Sequence, residues 1–384
     1  MTTHRQIVAA LVDAAAHDEN VVLATVVRIT GSSYGGVGAR MICLGDGSRV
    51  GLVSGGCLES DLAEHAQRVY ATGYAEVVSY DTRDDDDVPW GLGLGCNGLI
   101  EVLLEPLSPH QATEVAGLID QALAADSPSV IATVIRSHGS DIGGPQVGSH
   151  ALLDGTAIRS TGDWGTGSAL FDATQYVSEA FAAGRRGAVH EIGSAEVAFE
   201  VVMPSIRLVV CGAGPDAAPV ARFASELGWD VTVVDHRTLT EERSARFPGA
   251  RVVECGDALQ LADVLPSNQR FAAVVMSHHI ARDRDYLHSL LKSDVMYLGM
   301  LGPRARTERM LTELIAREGS LPHIDERFFS PVGLDIGGEG PDAIALSIIS
   351  QISAVTSGRT GGHLRDRRAP LHASPPAEVA TSSI

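Results

Sequence analysis

Apolar residues over the first hundred positions come in short dense runs separated by glycine and polar turns, a pattern of strands more than of long helices. VVLATVVRI (21–29), ARMICLG (39–45), SRVGLV (48–53) and GLIEVLLEPL (98–107) read as strands. DGS (46–48) is a hairpin turn in which Gly47 is free to take positive φ. After Cys57 the period changes. Leu58, Leu62, Ala66 and Val69 recur at helical spacing, and Gly73 is placed to cap that helix. DTRDDDDVPWG (81–91) is a charged loop, and HQATEVAGLIDQALAAD is a second helix from His110.

The following section repeats the first in outline. IATVIRSHGS (131–140) matches LATVVRITGS (23–32), ALLDGTAIRS (151–160) matches CLGDGSRVGL (43–52), and AFEVVMPS (198–205) resembles LIEVLLEP (99–106). A degenerate internal duplication is the reading. Its second copy carries STGDWGTGSAL where the first has VSGGCLESDL, so it keeps the strand pattern without the cysteines.

From Ile206 strands alternate with helices: IRLVVCGAG, PDAAPVARFASELG, DVTVVDHR, RVVEC, FAAVVMSHH, VMYLGMLG, then helices over 304–318 and 341–358. That alternation predicts a doubly wound parallel sheet. The expected fold is therefore α/β overall. A mixed α+β cysteine-bearing domain (1–110) and its degenerate copy (111–204) precede a Rossmann-like domain (205–358). A polar, proline-containing tail (359–384) expected to be disordered ends the chain.

The length, 384 residues, suits two or three domains. No apolar run approaches the roughly 18 residues that cross a bilayer, and the amphipathic N-terminus lacks a signal peptide's apolar core. A net charge of −19 argues against nucleic acid or anionic lipid as a general partner. The five cysteines form no CxxC pair, which fits free thiols in a reducing, cytoplasmic setting better than a disulfide or zinc framework.

Two cysteines have bare surroundings. Cys57 follows Gly55 and Gly56 just before a helix N-terminus, where a thiol is made more acidic, although Glu59 and Asp61 oppose that effect. Cys96 stands between Gly95 and Asn97. Incidental small residues in turns are the bland alternative; Cys43, Cys211 and Cys255 fit burial. In the C-terminal part, Gly212, Gly214 and Ala217 supply a GxGxxA turn, and Asp235 ends the next strand where an acidic residue meets a ribose. Pro215 removes an N–H from that turn and Asp216 adds a negative charge. His278 and Arg304 close two further strands, at the sheet edge where ligands of open α/β sheets bind. Strand capping and solvation are their ordinary alternatives.

GSSYGGVGARMICLGDGSRVGLVSGGCLESDL with GLGLGCNGLIEVLLEPL resembles the N-terminal domain of the XdhC/CoxI family. VVCGAG, LGWDVTVVDHR, VVMSHH, YLGMLGPR and PVGLDIGGEGPDAIALSI resemble that family's Rossmann domain, in the same order. The resemblance implies an accessory factor for molybdenum hydroxylases of the xanthine dehydrogenase or carbon monoxide dehydrogenase type. Such a factor binds the molybdenum cofactor, as molybdopterin or its dinucleotide, supports its sulfuration and delivers it to the apo-enzyme. It implies Cys57 and Cys96 as the cofactor and molybdenum contacts, with Gly55 and Gly56 beside them. Gly212, Gly214, Asp235, His278 and Arg304 take the matching Rossmann positions. A cysteine desulfurase partner and a homodimer belong to the same expectation. The chain departs from the family in Pro215, usually histidine, and Asn97, usually glycine. The competing reading is an NAD(P)-dependent oxidoreductase built on Gly212, Gly214 and Asp235, which leaves the N-terminal thiols without a task. That the chain is itself a molybdenum hydroxylase is disfavoured, since it lacks the clustered cysteines of iron–sulfur domains.

Overall fold

The structure, a computed structural model, describes residues 4–31, 33–81, 98–138, 144–154, 158–184, 187–256, 261–266, 271–321 and 326–368. The chain divides into two compact units between Pro204 and Ser205. Cys96, most of the acidic loop and the end of the tail lie outside the described residues.

The first unit holds two antiparallel sheets. β1 (Val21–Gly31), β2 (Arg40–Leu44), β3 (Arg49–Gly51), β4 (Glu76–Asp81) and β5 (Gly98–Leu107) lie in the order β3-β2-β1-β5-β4. β6 (Ser129–Ser137), β7 (His150–Leu153), β8 (Ile158–Thr161), β9 (Ala188–Ile192) and β10 (Ala195–Val202) lie in the order β8-β7-β6-β10-β9, the same arrangement. Registers match as well. Leu23 faces Ile42 and Glu105, as Ile131 faces Leu152 and Glu200. Thr25 faces Arg40, as Thr133 faces His150. Val27 and Ile135 are each skipped by the pairing, so both central strands bulge at the same place. These two residues then pack together with Leu103 and Ala198.

Alternation along β1 divides its side chains between two cores. Val22, Ala24 and Val26 pack with Leu58, Leu62, Ala66 and Val69, the apolar stripe of the helix Glu59–Thr72. Val21 and Leu23 face the helices His4–Ala16 and Pro109–Ala124, and Ile131, Leu152 and Val202 of the second sheet join that same core. Both faces of the sheet are thus covered, so its strand reads as a continuous apolar run. Local signals set the ends. Gly47 takes φ +84° in the hairpin, and Gly73 takes φ +72° and donates its N–H to Val69. Ser108 and Gln111 form a reciprocal capping box ahead of Pro109.

The second unit is a six-stranded parallel sheet, as the strand–helix alternation predicts. β11 (Arg207–Cys211), β12 (Asp230–Asp235), β13 (Arg251–Glu254), β14 (Phe271–Val275), β15 (Tyr297–Met300) and β16 (Phe328–Phe329) lie in the order β13-β12-β11-β14-β15-β16. Leu208 and Val210 face the helices Ala217–Glu226 and Pro341–Thr356, while Val209 and Cys211 face Ile280–Leu291 and Arg304–Glu318. The chain turns back between β11 and β14, which opens a crevice at their carboxyl ends. Among the described residues, no helix is long and apolar enough to cross a membrane.

Candidate functional site

In the first unit the chain leaves β3 and makes a tight excursion, Leu52 to Leu58, before the helix Glu59–Thr72. One carboxylate organises it. Glu59 Oε1 accepts from the N–H groups of Val53 (3.0 Å) and Ser54 (2.8 Å). Its Oε2 accepts from the Ser54 hydroxyl (2.7 Å) and the N–H groups of Gly56 (2.9 Å) and Leu58 (3.1 Å). Burial alone would raise the Glu59 carboxyl, but the hydrogen bonds from Ser54 and Val53 overcome this and hold it below the usual carboxylate range. Val53 and Leu58 are buried and anchor the two ends. Winding around the carboxylate requires left-handed backbone at Gly55 (φ +84°) and Gly56 (φ +109°). A Cβ on Gly55 would meet the Tyr34 ring at 3.0 Å, whereas one on Gly56 would meet open space.

Cys57 sits at the crest of this loop, exposed, while Cys43, Cys211 and Cys255 are buried. Glu59, read from sequence only as a charge opposing the thiol, instead fills the N–H nest at the helix start and fixes the loop. Ser54 and Tyr34 were missed with it. A glutamate two residues past a double-glycine cysteine loop was the available signal. Among the described residues, no group of three or more His, Cys, Asp or Glu side chains is placed to hold a metal ion by itself.

In the second unit Gly212, Gly214, Asp235 and His278 gather at the crevice. Gly212 (φ +129°) is required by the fold, since a Cβ there would lie 2.7 Å from Met276 O and Ser277 Cα. At Gly214 a Cβ would meet Asp216 Oδ1 at 2.5 Å. Asp235 is 2% exposed and fully engaged. Its oxygens accept from the N–H of Ala213 (2.7 Å) and from the backbone N–H (2.9 Å) and guanidinium (2.8 Å twice) of Arg237. Burial would raise that carboxyl, but Arg237 and the Ala213 N–H bring it down to about 2. His278 is exposed, carries an uncommon φ of +60°, and its Nε2 lies 2.7 Å from Asp216 Oδ2. Arg304 opens the helix Arg304–Glu318 and is exposed. Arg306, two residues on, pairs with fully buried Asp283, which also accepts from the Ser277 N–H at 3.0 Å and from its hydroxyl.

Two family models match the chain: the XdhC and CoxI family over residues 14–81 and the XdhC Rossmann domain over residues 208–352. A Bacillus subtilis (strain 168) protein, named as a probable subunit of xanthine dehydrogenase, is 33% identical over 89% of this chain and 95% of its own length. The chain belongs to the XdhC/CoxI family. Another relative, named molybdenum cofactor insertion chaperone PaoD, from Escherichia coli (strain K12), is 23% identical over 92% of this chain and 88% of its own. A crystal structure described as a xanthine dehydrogenase from Bacillus halodurans superposes with a TM-score of 0.71 at 31% identity, covering 94% of this chain and 97% of that one. For an XdhC/CoxI member, the Cys57 loop falls within the first matched segment and the crevice within the second.

Proposed function

We propose that this XdhC/CoxI protein binds the molybdenum cofactor as cargo, supports its sulfuration and hands it to a molybdenum hydroxylase of the xanthine dehydrogenase or carbon monoxide dehydrogenase type. The observation that carries the reading is Cys57: a soft thiol held exposed on a loop that a buried carboxylate keeps rigid, with open space over Gly56. The residues fit the cargo. A thiol is a suitable molybdenum ligand, and a glycine flank lets a bulky metal group approach the backbone. When bound, the cofactor would supply the metal centre; the chain's own part is to present Cys57, with Cys96 as the second thiol, and to hold the loop still. The names of the relatives, an insertion chaperone and a component of xanthine dehydrogenase, agree with a maturation role. A hydroxylase apo-enzyme as recipient, a cysteine desulfurase as sulfur donor and a homodimer complete the proposal.

The oxidoreductase alternative has less support. Asp235, its ribose ligand, is buried and taken by Arg237, and the glycine turn carries Pro215 and Asp216 where a pyrophosphate would need N–H groups and no negative charge. The test mixes the full chain with free molybdenum cofactor and, separately, with NAD(P)H, and measures binding for wild type, Cys57→Ala and Cys96→Ala. Wild type is expected to bind the cofactor, and Cys57→Ala to lose most of that affinity. Tight NAD(P)H binding without cofactor binding would overturn the proposal. Full cofactor affinity in both variants would take the thiols out of it.

A further inference from the structure

The loops after β12 and β14 bring two imidazoles together at the carboxyl edge of the parallel sheet. The rings of His236 and His279 lie 5.9 Å apart, centroid to centroid, tilted by 55°. β12 and β14 flank β11 in the sheet, so the pair spans the switch-point crevice. Two guanidiniums accompany it. Arg237 follows His236, and Arg282, in the first turn of the helix Ile280–Leu291, is steadied by a 2.8 Å bond from its NH1 to the Gly256 carbonyl.

The carboxylates that face this cluster are already engaged. Asp235 is held by Arg237 and Ala213, Asp283 by Arg306 and Ser277, and Glu254 accepts from the Leu239 N–H at 3.0 Å. His236 Nδ1 lies 3.7 Å from Asp235 Oδ1, beyond hydrogen-bond reach, and among the described residues neither it nor the hydroxyl of buried Tyr286 has a hydrogen-bond partner. Tyr286 stands on the same helix as Arg282. The ring nitrogen and the hydroxyl are thus polar groups left without a partner near this edge. Burial, together with Arg282, Arg237 and His279, outweighs the pull of Asp235 and holds His236 below the usual histidine value. An anion arriving beside His236 would favour its protonated form.

We propose that His236, His279 and Arg282 form an oxyanion subsite for the diphosphate ester of a nucleotide-type ligand, displaced from the glycine turn to the histidine pair, with Arg237 held beside them by Asp235. The displacement has a physical reason: Pro215 and Asp216 spoil the usual position, whereas the cations gather around the histidines. The subsite deepens the cofactor reading, since a pterin phosphate or dinucleotide carries this group, and rests on it for the ligand's identity. Its probes contain neither pterin nor molybdenum, so its failure and that of the thiol reading are separable.

The test is calorimetric titration of the full chain with inorganic pyrophosphate and with ADP, near pH 6 and near pH 8. Wild type is expected to bind both about tenfold more tightly at the lower pH, because an anion beside His236 favours its protonated form. His236→Gln should lose that extra affinity, and His279→Gln and Arg282→Gln should weaken binding at both pH values. Asp216→Asn should leave binding unchanged. The ligands' own titration is common to all proteins, so the difference from wild type belongs to the substituted group. His279 is exposed and caps its helix with no side-chain bond, so its variant is expected to keep the wild-type thermal midpoint. Retained pH dependence in His236→Gln, full affinity in His279→Gln, tightening in Asp216→Asn, or no binding of either probe would overturn the subsite. Pyrophosphate binding without ADP binding would overturn the ester.

Discussion

Glu59 is the residue on which the Cys57 loop depends. Its carboxylate accepts from four backbone N–H groups and a hydroxyl, of which the Leu58 N–H also donates to Ser54 Oγ at 2.8 Å. Glu59→Gln keeps the shape but turns one acceptor oxygen into a donor facing donors, at an expected cost of about 1–3 kcal/mol. Glu59→Ala takes the acceptor from all of these donors, with only the Leu58 N–H keeping Ser54 Oγ at 2.8 Å, and should cost more. Urea midpoints measure both, and the rate of Cys57 modification by a thiol reagent reports the loop: it should change in Glu59→Gln and stay as wild type in Glu64→Gln on the same helix. An unchanged rate and midpoint would show that the loop holds its shape without the carboxylate. The exposed thiol was legible from its glycine neighbours. The role of Glu59 was not, because it arises from the direction of amides that sequence spacing does not reveal. The engagement of Asp235, read as a ribose-facing acid, was not legible for a similar reason: Arg237, two residues on, folds back onto it.

Across elements, β2 and β10 are joined by an ion pair that sits almost out of solvent. Arg40 grips Glu200 with both terminal nitrogens, side chains 4% and 8% exposed, and the arrangement leaves no room for a side chain at Gly38 (φ +85°). The equivalent strands of the other half carry His150 and Glu105, 2.9 Å apart, with the Thr133 hydroxyl on the second ring nitrogen. Removing one partner strands a buried charge, so Arg40→Leu should cost about 3–5 kcal/mol, and Arg40→Leu with Glu200→Leu appreciably less. A double-mutant cycle from denaturant midpoints measures the coupling. The pH dependence follows. Burial would raise the Glu200 carboxyl, but Arg40, His4 and His150 overcome it and hold it below the ordinary value. Its contribution is therefore complete above the unfolded carboxyl's pKa, roughly 4.3, and is lost as pH falls through the lower folded value. Glu200→Gln should flatten the thermal midpoint's decline in that acid range; an unaltered slope would place the acid sensitivity elsewhere. The strands themselves were legible where apolar runs were dense. β4 and β16 were not, since EVVSYD holds only two adjacent aliphatic residues and Phe328–Phe329 is too short to show a period.

At the scale of the whole molecule, the two compact units differ in how self-sufficient their cores are. In the second, Leu208, Val210 and their neighbours pack against helices drawn wholly from residues 217–356, and the opposite face is closed by residues 261–328. Among the described residues, nothing in either core comes from before Ser205. In the first, the two sheets share one core, with Ile131, Leu152 and Val202 packed among residues of the helices His4–Ala16 and Pro109–Ala124. They also share charges, because Arg28 and Arg136 each pair with both Glu101 and Glu196. The two sheets match in strand order, register and bulge position, as a duplication of the kind read from IATVIRSHGS would leave them, and we propose that the second copy is the partner the first one folds against. Sequence likeness could suggest the copy, but not that the halves bury one another's ionic groups, since those pairs lie far apart along the chain. A fragment of residues 205–368 is accordingly expected to fold alone, with a cooperative thermal transition. A fragment of residues 1–130 is expected to aggregate or remain unfolded, because it exposes the shared apolar face and leaves Arg40 without Glu200 and Glu105 without His150. Circular dichroism and sedimentation of the two fragments decide the matter. A monomeric, cooperatively folding 1–130 would show that the second copy is dispensable to the first, and would move its role from folding to the surface it presents.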